Sequence, residues 1–360
     1  MVVGFLYLFL VGVKGLETGI SAFGADFTDR VFGAVSNPLS GLFAGILVTV
    51  LVQSSSVSTA TIVGLVGAGV LPLETAVPMI MGANIGTTVT STLAALGHVR
   101  QGREFRLAFA GATMHDFFNV LAVAIALPLE LATGFLTRAA LFLTDVLSDT
   151  TVGVVPGRSP IRVAVGIPVD AAKDLLTGWG AGRAVVGVVL LAMGLALILV
   201  SLASITYNMR IVMAGRFEQS FNRVLDRGAG LGAIALGMVM TVLVQSSSIT
   251  TSILIPMVAA GVLTLRNAFP VTLGANLGTT VTALLASVAA GGDEALTIAL
   301  VHTSFNVFGI LLFYPIPALR NLPVRLATAL ADVAQRRKRW AIIYVVGAFI
   351  VLPVVGVVAL

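Results

Sequence analysis

The chain has 360 residues, of which 58% are hydrophobic and 10% are charged, and its mean hydropathy is +1.05. Charged residues make up about a quarter of an ordinary soluble domain. The composition therefore excludes a soluble globular protein and predicts an all-α polytopic membrane protein. No cysteine occurs, which excludes disulfides, thiolate metal sites and a cysteine nucleophile.

Seven apolar windows are long enough to cross a membrane, in chain order at about 1–23, 76–96, 107–129, 184–206, 268–290, 295–314 and 340–360. The first is interpreted as a span and not as a removed signal peptide, because no basic region precedes it. Two further apolar segments, at about 39–69 and 230–261, are each interrupted by the run Gln-Ser-Ser-Ser. A more polar stretch at 130–183 separates the two groups of spans.

Two strings of the sequence occur twice. Thr49–Ser56 returns unchanged as Thr241–Ser248, and Gly82–Thr90 is matched by Gly274–Thr282, both at a separation of 192 positions. Each copy places hydroxyls, carboxamides and glycines inside apolar sequence, where polar groups are costly unless they are buried in protein or line a polar cavity. The duplication therefore indicates a solute site shared by two halves, as in a transporter.

The duplication predicts a first repeat at 1–129 and a second at 184–314, followed by a basic segment and a last span at 315–360. If 39–69 and 230–261 crossed the membrane fully, the basic loops would fall on both sides. If each is a re-entrant hairpin, the basic loop at 98–106 and the acidic loop at 291–294 lie on opposite sides. We therefore predict two inverted-topology repeats, each with a re-entrant helical hairpin and a discontinuous helix.

The positive-inside rule orients the molecule. The basic face, with Arg103 and Arg336–Arg339, is then cytoplasmic, and the face with Glu74 and Asp293 is external. This places the protein in the cell membrane with a cytoplasmic N-terminus, an extracytoplasmic 130–183 stretch and an extracytoplasmic C-terminus. The cluster Arg336–Arg339 is interpreted as a topology anchor that contacts lipid headgroups and not nucleic acid.

The polar residues of the repeats suit two kinds of ligand. A serine run at a helix start offers hydroxyls and free N–H groups, which suit a tetrahedral oxyanion. The strings Asn-Ile-Gly-Thr-Thr and Asn-Leu-Gly-Thr-Thr predict a helix break whose oxygen atoms suit Na⁺. Apart from Lys14, toward the far end of the first span, no lysine or arginine lies in the membrane core of either repeat. A bound anion would need co-bound cations, which predicts coupling to Na⁺; no organic cofactor is expected.

The chain resembles bacterial members of the type II sodium-dependent phosphate cotransporter family over nearly its whole length. The resemblance rests on both Gln-Ser-Ser-Ser runs and on the strings Pro78–Gly86, Pro270–Gly278, Phe105–His115 and Phe305–Pro315. It implies sodium-driven uptake of inorganic phosphate, bound near the midplane between the two hairpins. Phosphate, sodium ions and membrane lipids are then the expected partners.

The candidate site residues come from the repeated strings. Those assigned to the substrate are Ser54, Ser55, Ser56, Asn84, Thr87, Ser246, Ser247, Ser248, Asn276 and Thr279. Those assigned to Na⁺ are Gln53, Thr88, Gln245 and Thr280. His115, Asp116 and His302 either form helix–helix hydrogen bonds or line the permeation path.

Two alternatives stay open at this point. A symporter for another oxyanion or a small carboxylate would use the same architecture. An intramembrane hydrolase would use Ser54 with His115 and Asp116. The second copy has Thr303 in place of the acid and the chain has no Gly-x-Ser-x-Gly elbow, so we expect no enzyme.

Overall fold

The computed structural model describes residues 2–23, 37–150, 160–213 and 230–360. Parts of the predicted first repeat (24–36), of the connecting stretch (151–159) and of the second repeat (214–229) lie outside these residues. The described residues fold into helices and contain no β-strand. The helices in chain order are α1 (Val2–Ser21), α2 (Pro38–Val52), α3 (Ser55–Gly67), α4 (Leu73–Gly86), α5 (Val89–Leu96), α6 (Gly102–Thr133), α7 (Phe135–Thr150), α8 (Pro160–Gly178), α9 (Arg183–Met213), α10 (Leu231–Val244), α11 (Ser247–Ala259), α12 (Leu265–Ala290), α13 (Asp293–Phe313), α14 (Pro317–Arg336), α15 (Arg339–Val346) and, after a π-helical turn, α16 (Leu352–Ala359).

Seven helical segments of the described chain are long and apolar enough to cross a membrane. They are Val2–Ser21, Leu73–Leu96, Gly102–Thr133, Arg183–Met209, Leu265–Ala290, Asp293–Phe313 and Arg339–Ala359. Each overlaps one of the seven windows predicted from the sequence. The prediction of an all-α polytopic membrane protein is therefore confirmed.

The two interrupted segments form pairs of short helices that turn at the same residues. Within the described chain, Gln53 (φ 57°) and Gln245 (φ 56°) are the non-glycine residues with positive φ. The serine after each glutamine has φ −153° and ψ 109°. Its hydroxyl oxygen accepts a hydrogen bond from the backbone N–H three residues on, which caps the second helix of the pair. The predicted interruption at Gln-Ser-Ser-Ser is confirmed in both copies.

Glycines bring the first helix of each pair into backbone contact with the helix that follows the pair. A Cβ atom at Gly45 would lie 2.1 Å from the Met79 carbonyl oxygen, and one at Gly237 would lie 2.0 Å from that of Val271. Only a residue without a side chain allows such an approach. The duplicated glycines therefore fix α2 against α4 and α10 against α12.

The direction of α2 shows how the chain turns. Gly41 lies beside Thr75, and Thr49 lies beside Gly86, so α2 and α4 run in the same direction. The intervening α3 must therefore run back, and α2 and α3 form a helical hairpin. In the second copy, Gly237 lies beside Val271 and Thr241 lies beside Gly278, so α10 and α12 are parallel and α11 runs back between them. Each returning helix packs against the other half of the molecule, α3 against α12 and α13, and α11 against α6.

The predicted discontinuous helix has a counterpart in the first copy only, as an interruption of two residues, Thr87 and Thr88, that keep right-handed helical backbone angles. There α4 ends at Gly86 and α5 begins at Val89, whereas α12 continues without a break from Leu265 to Ala290. The predicted break in the second copy is therefore wrong. Gly278 serves close packing and not unwinding, because a Cβ atom there would lie 2.7 Å from the Met238 carbonyl oxygen.

The connecting stretch, predicted only as polar, is helical where the structure describes it. The Glu130 carboxylate accepts hydrogen bonds from the backbone N–H of Leu136 (2.7 Å) and of Thr137 (3.3 Å), which caps the start of α7. A carboxylate at a helix N-terminus is favoured by the helix dipole. Helix α8 packs on α1, and the Tyr7 hydroxyl donates to the Ala164 carbonyl oxygen at 3.0 Å.

Candidate functional site

The turns of the two hairpins meet in the interior of the molecule. The Ser56 hydroxyl donates to the Gln245 carbonyl oxygen at 3.1 Å, and the Ser248 hydroxyl donates to the Thr87 carbonyl oxygen at 3.4 Å. The third serine of each run therefore bonds to the opposite repeat. This contact brings both predicted serine runs to one place.

The three serines of a run have different tasks. Ser54 and Ser246 cap helices, and Ser56 and Ser248 bond across the repeats. The Ser247 side chain is buried, and its hydroxyl has no hydrogen-bond partner within the described part of the chain. The middle serine, which is Ser55 in the first copy, is therefore the one left to donate to a ligand.

Each turn glutamine is held at both ends of its carboxamide. The Nε2 group of Gln53 donates to the Val50 carbonyl oxygen and that of Gln245 to the Val242 carbonyl oxygen, both at 2.6 Å. Their Oε1 atoms accept hydrogen bonds from threonine hydroxyls thirty-seven positions on, Thr90 (3.2 Å) and Thr282 (2.8 Å). Each Oε1 keeps a lone pair with which it can bind a cation.

Thr90 and Thr282 were missed as site residues by the sequence analysis, although they end the second repeated string. Their repetition was the available signal. The two copies also differ in exposure, since Gln53 is exposed and Gln245 is buried. The same set of bonds is thus present at an exposed glutamine and at a buried one.

Four buried asparagines form a hydrogen-bonded network between the halves. The Asn276 Nδ2 group donates to Asn119 Oδ1 (2.9 Å) and to Asn306 Oδ1 (3.0 Å), and the Asn119 Nδ2 group donates to the Asn84 carbonyl oxygen (2.6 Å). The Asn84 Nδ2 group donates to the Ile80 carbonyl oxygen of its own helix. Asn119 and Asn306 were missed, although both follow a phenylalanine in matching helices.

The two adjacent threonines of each Asn-x-Gly-Thr-Thr string direct their hydroxyl hydrogens to backbone carbonyl oxygens three or four residues earlier. These bonds join Thr87 to Ala83 (2.9 Å), Thr88 to Ile85 (2.8 Å), Thr279 to Ala275 (3.2 Å) and Thr280 to Leu277 (2.7 Å). A hydroxyl whose hydrogen is engaged can still offer an oxygen lone pair. These four hydroxyls can therefore offer a lone pair to a cation, and this includes Thr87 and Thr279, which the sequence analysis assigned to the substrate.

Comparison with known proteins assigns the chain to a family. The family model described as Na⁺/Pi-cotransporter matches residues 8–142 and 197–324. The chain belongs to the Na⁺/Pi-cotransporter family. The predicted resemblance is confirmed.

The chain is similar to several sodium-dependent phosphate transport proteins. The chain is 34% identical to sodium-dependent phosphate transport protein 2A of Rattus norvegicus over an alignment 421 residues long. The alignment covers 98% of this chain and 66% of the rat protein. It is 32% identical to sodium-dependent phosphate transport protein 2B of Homo sapiens over an alignment 440 residues long. That alignment covers 98% of this chain and 64% of the human protein. The chain thus spans just under two thirds of the length of these relatives. No solved structure matches it.

In this member of the Na⁺/Pi-cotransporter family, His115, Asp116 and His302 are buried outside the repeated strings. Asp116 Oδ2 accepts hydrogen bonds from the Tyr344 hydroxyl (2.9 Å) and from the Thr92 hydroxyl (3.3 Å). Both ring nitrogens of His115 and of His302 lack a hydrogen-bond partner among the residues that the structure describes. The Ser54–His115 bond that a hydrolase would need is therefore not formed there.

Proposed function

We propose that the chain is a secondary active transporter that carries inorganic phosphate into the cell together with Na⁺. The observation that carries the proposal is the meeting of the two Gln-Ser turns around a buried, unpartnered serine hydroxyl, Ser247. The relatives are named sodium-dependent phosphate transport proteins. Their names favour phosphate over another oxyanion or a small carboxylate.

We assign the phosphate to the hydroxyls of Ser55 and Ser247 and to the backbone N–H groups at the starts of α3 and α11. Helix N-termini carry partial positive charge and free donors, which suit an oxyanion. We assign Na⁺ to the oxygen atoms of the two turn glutamines and of the repeated threonines. Na⁺ supplies the positive charge that the serine and glutamine side chains cannot provide.

We further propose that the two hairpins enter the membrane from opposite faces. Helix α12 has 26 residues, which gives it a length of about 39 Å. Gly67, at the end of α3, lies beside Ala290 at one end of α12, whereas Gly230, before α10, lines one cavity with Arg266 at the other end. The two ends of a re-entrant hairpin lie on the same face of the membrane. The two hairpins therefore have their ends on opposite faces, which supports inverted repeats.

Helix length also favours hairpins that turn back inside the membrane. Helices α2 and α3 have 15 and 13 residues, which gives each a length of about 20 Å, less than the roughly 30 Å of the hydrocarbon core. We therefore propose a first repeat at 1–129 and a second at 184–314 in a protein of the cell membrane. Its N-terminus is cytoplasmic, and its 130–183 stretch and C-terminus are extracytoplasmic.

Phosphate binding to the purified protein tests the function without requiring turnover. We expect phosphate to raise the thermal unfolding temperature in NaCl and to have little effect in KCl at the same pH. Competition between phosphate and sulfate or a small carboxylate in the same assay separates phosphate from the alternative substrates. Stabilisation by a carboxylate and not by phosphate would contradict the proposed substrate.

A further inference from the structure

A cavity separate from the transport site lies between the beginnings of α12 and α14. Its volume is about 390 Å³, and its lining includes Arg266, Asn267, Tyr314, Arg320 and Asn321. A second cavity of about 300 Å³ shares Arg266 and Asn321 with the first and adds Arg325. Neither cavity is lined by a residue of the two serine runs or of the Asn-x-Gly-Thr-Thr strings.

The arginines that line these cavities make them positively charged, and no acidic residue of the described chain pairs with those arginines. Arg266, Arg320 and Arg325 form no ion pair with any residue in the described ranges. The acid on the lining, Asp332, is engaged by Arg106 of α6. Three arginines therefore remain available to a bound anion.

The arginine at the mouth of the larger cavity is held in place. The Arg320 guanidinium carbon lies 5.3 Å from the centroid of the Tyr314 ring, within cation–π range. A planar guanidinium matches the oxygen atoms of a phosphate group with two parallel hydrogen bonds, which favours phosphate over a simple halide. The side chains of Asn267 and Asn321 add polar groups beside it.

The position of the cavity favours a phosphate that belongs to a lipid. Tyr314 follows the end of the α13 span, Arg266 is at the start of the α12 span, and Arg339 begins the last span. These span ends place the cavity at the level of the lipid headgroups. Helix α14 is amphipathic, with Ala327 and Ala331 buried and Arg325 exposed, as expected of a helix that lies in the membrane interface.

We propose that this cavity binds the phosphate group of an anionic phospholipid headgroup, with Arg266 and Arg320 as its principal ligands. Free inorganic phosphate has the same chemistry and is the other source of such a group. Basic pockets between membrane helices on one side of the bilayer are a known way to hold anionic headgroups. The site does not depend on the assignment of the transport site.

Lipid binding to the full chain in detergent tests the proposal. Native mass spectrometry during titration with phosphatidylglycerol or phosphatidylcholine reports the affinity for each lipid. We expect the unmodified protein to prefer phosphatidylglycerol, and Arg266→Gln/Arg320→Gln to bind it roughly tenfold or more weakly, because charged hydrogen bonds are lost. The matched control is Arg103→Gln, an exposed arginine outside both cavities, which should keep the preference.

A second titration separates the two sources of phosphate. Inorganic phosphate is added to the lipid-depleted proteins in KCl, and thermal unfolding is followed. Loss of lipid preference in the double variant supports a headgroup site. If phosphate in KCl instead stabilises the unmodified protein but not the double variant, and the lipid preference is unchanged, the site is assigned to free phosphate. If the double variant matches the unmodified protein in both titrations, the proposal is overturned. Should the double variant not yield a monodisperse protein, Arg320→Gln alone, at a partly exposed residue, tests the same ligand.

Discussion

The serine runs combine structural and ligand-binding hydroxyls within three consecutive residues. Replacing Ser247 or Ser55 with alanine should weaken phosphate binding, since each substitution removes a hydroxyl that is free to donate to the anion. The expected cost is about 1.5–3 kcal/mol, or roughly tenfold or more in affinity. The apparent phosphate affinity of the purified variants, measured at saturating Na⁺, checks this prediction.

The neighbouring serines supply the matched control. Ser56 and Ser248 already donate to carbonyl oxygens of the opposite repeat. Ser56→Ala and Ser248→Ala should lower the thermal unfolding temperature more than Ser55→Ala and Ser247→Ala do. If phosphate affinity falls equally in all four variants, the division of tasks within the serine run is wrong.

Thr282 fixes the orientation of the Gln245 carboxamide and should therefore affect Na⁺ and not phosphate directly. We expect Thr282→Val to raise the Na⁺ concentration for half-maximal phosphate binding several-fold, because Gln245 Oε1 loses its hydrogen-bond donor. Thr272→Val is the control, since Thr272 is buried in the same helix and its hydroxyl bonds only to the Ala268 carbonyl oxygen. An unchanged Na⁺ dependence in Thr282→Val would contradict the role given to Gln245.

Of the residues that the structure brings together, the sequence predicted only ones that lie within the repeated strings. The serines and glutamines could be found because two copies stand in matching positions. The hydrogen bonds of Asn276 to Asn119 and of Ser56 to Gln245 join residues 157 and 189 positions apart. Such pairs are set by how the helices pack, and no local pattern contains that information.

Among the helices, the close contact between each hairpin and its neighbour depends on glycine. Gly45→Ala or Gly237→Ala would place a Cβ atom about 2 Å from a backbone oxygen. We expect each substitution to destabilise the fold by about 1–3 kcal/mol or more, because a helix backbone must move. Circular dichroism during heating measures this change.

Gly4→Ala is the control for these substitutions, since no atom lies within 4 Å of a Cβ built at Gly4. Alanine at this exposed helical position should leave stability unchanged or slightly higher. Equal unfolding temperatures for Gly4→Ala and Gly45→Ala would contradict the packing described for the hairpin.

The membrane spans could be predicted closely because each one is a continuous apolar stretch long enough to cross the bilayer. The continuity of α12 could not, because the Asn-x-Gly-Thr-Thr string also occurs where α4 ends. In both copies the glycine of the string, Gly86 or Gly278, is where the hairpin helix comes close. Because both glycines make the same close contact, the string alone does not show which of the two helices is interrupted.

For the molecule as a whole, the charge distribution and the hairpin geometry predict a definite topology. Single cysteines placed at Glu74, Asp293, Arg103 and Arg336 are accessible to reagents, since all four residues are exposed and the chain has no cysteine of its own. An impermeant maleimide added to intact cells should label the first two positions. It should reach Arg103 and Arg336 only after the membrane is permeabilised. Labelling of all four from one side would refute the inverted repeats.

Coupling of phosphate movement to Na⁺ is the defining property of the proposed transporter. The test is uptake of ³²P-phosphate into proteoliposomes that contain the purified chain, under an inward gradient of Na⁺ or of K⁺ at the same pH. Because the assigned site has hydroxyl and amide groups but no cationic side chain, uptake should require the Na⁺ gradient. It should also fall strongly in Ser247→Ala at subsaturating phosphate. Equal phosphate uptake in the Na⁺ and K⁺ gradients would contradict Na⁺-coupled transport by this chain.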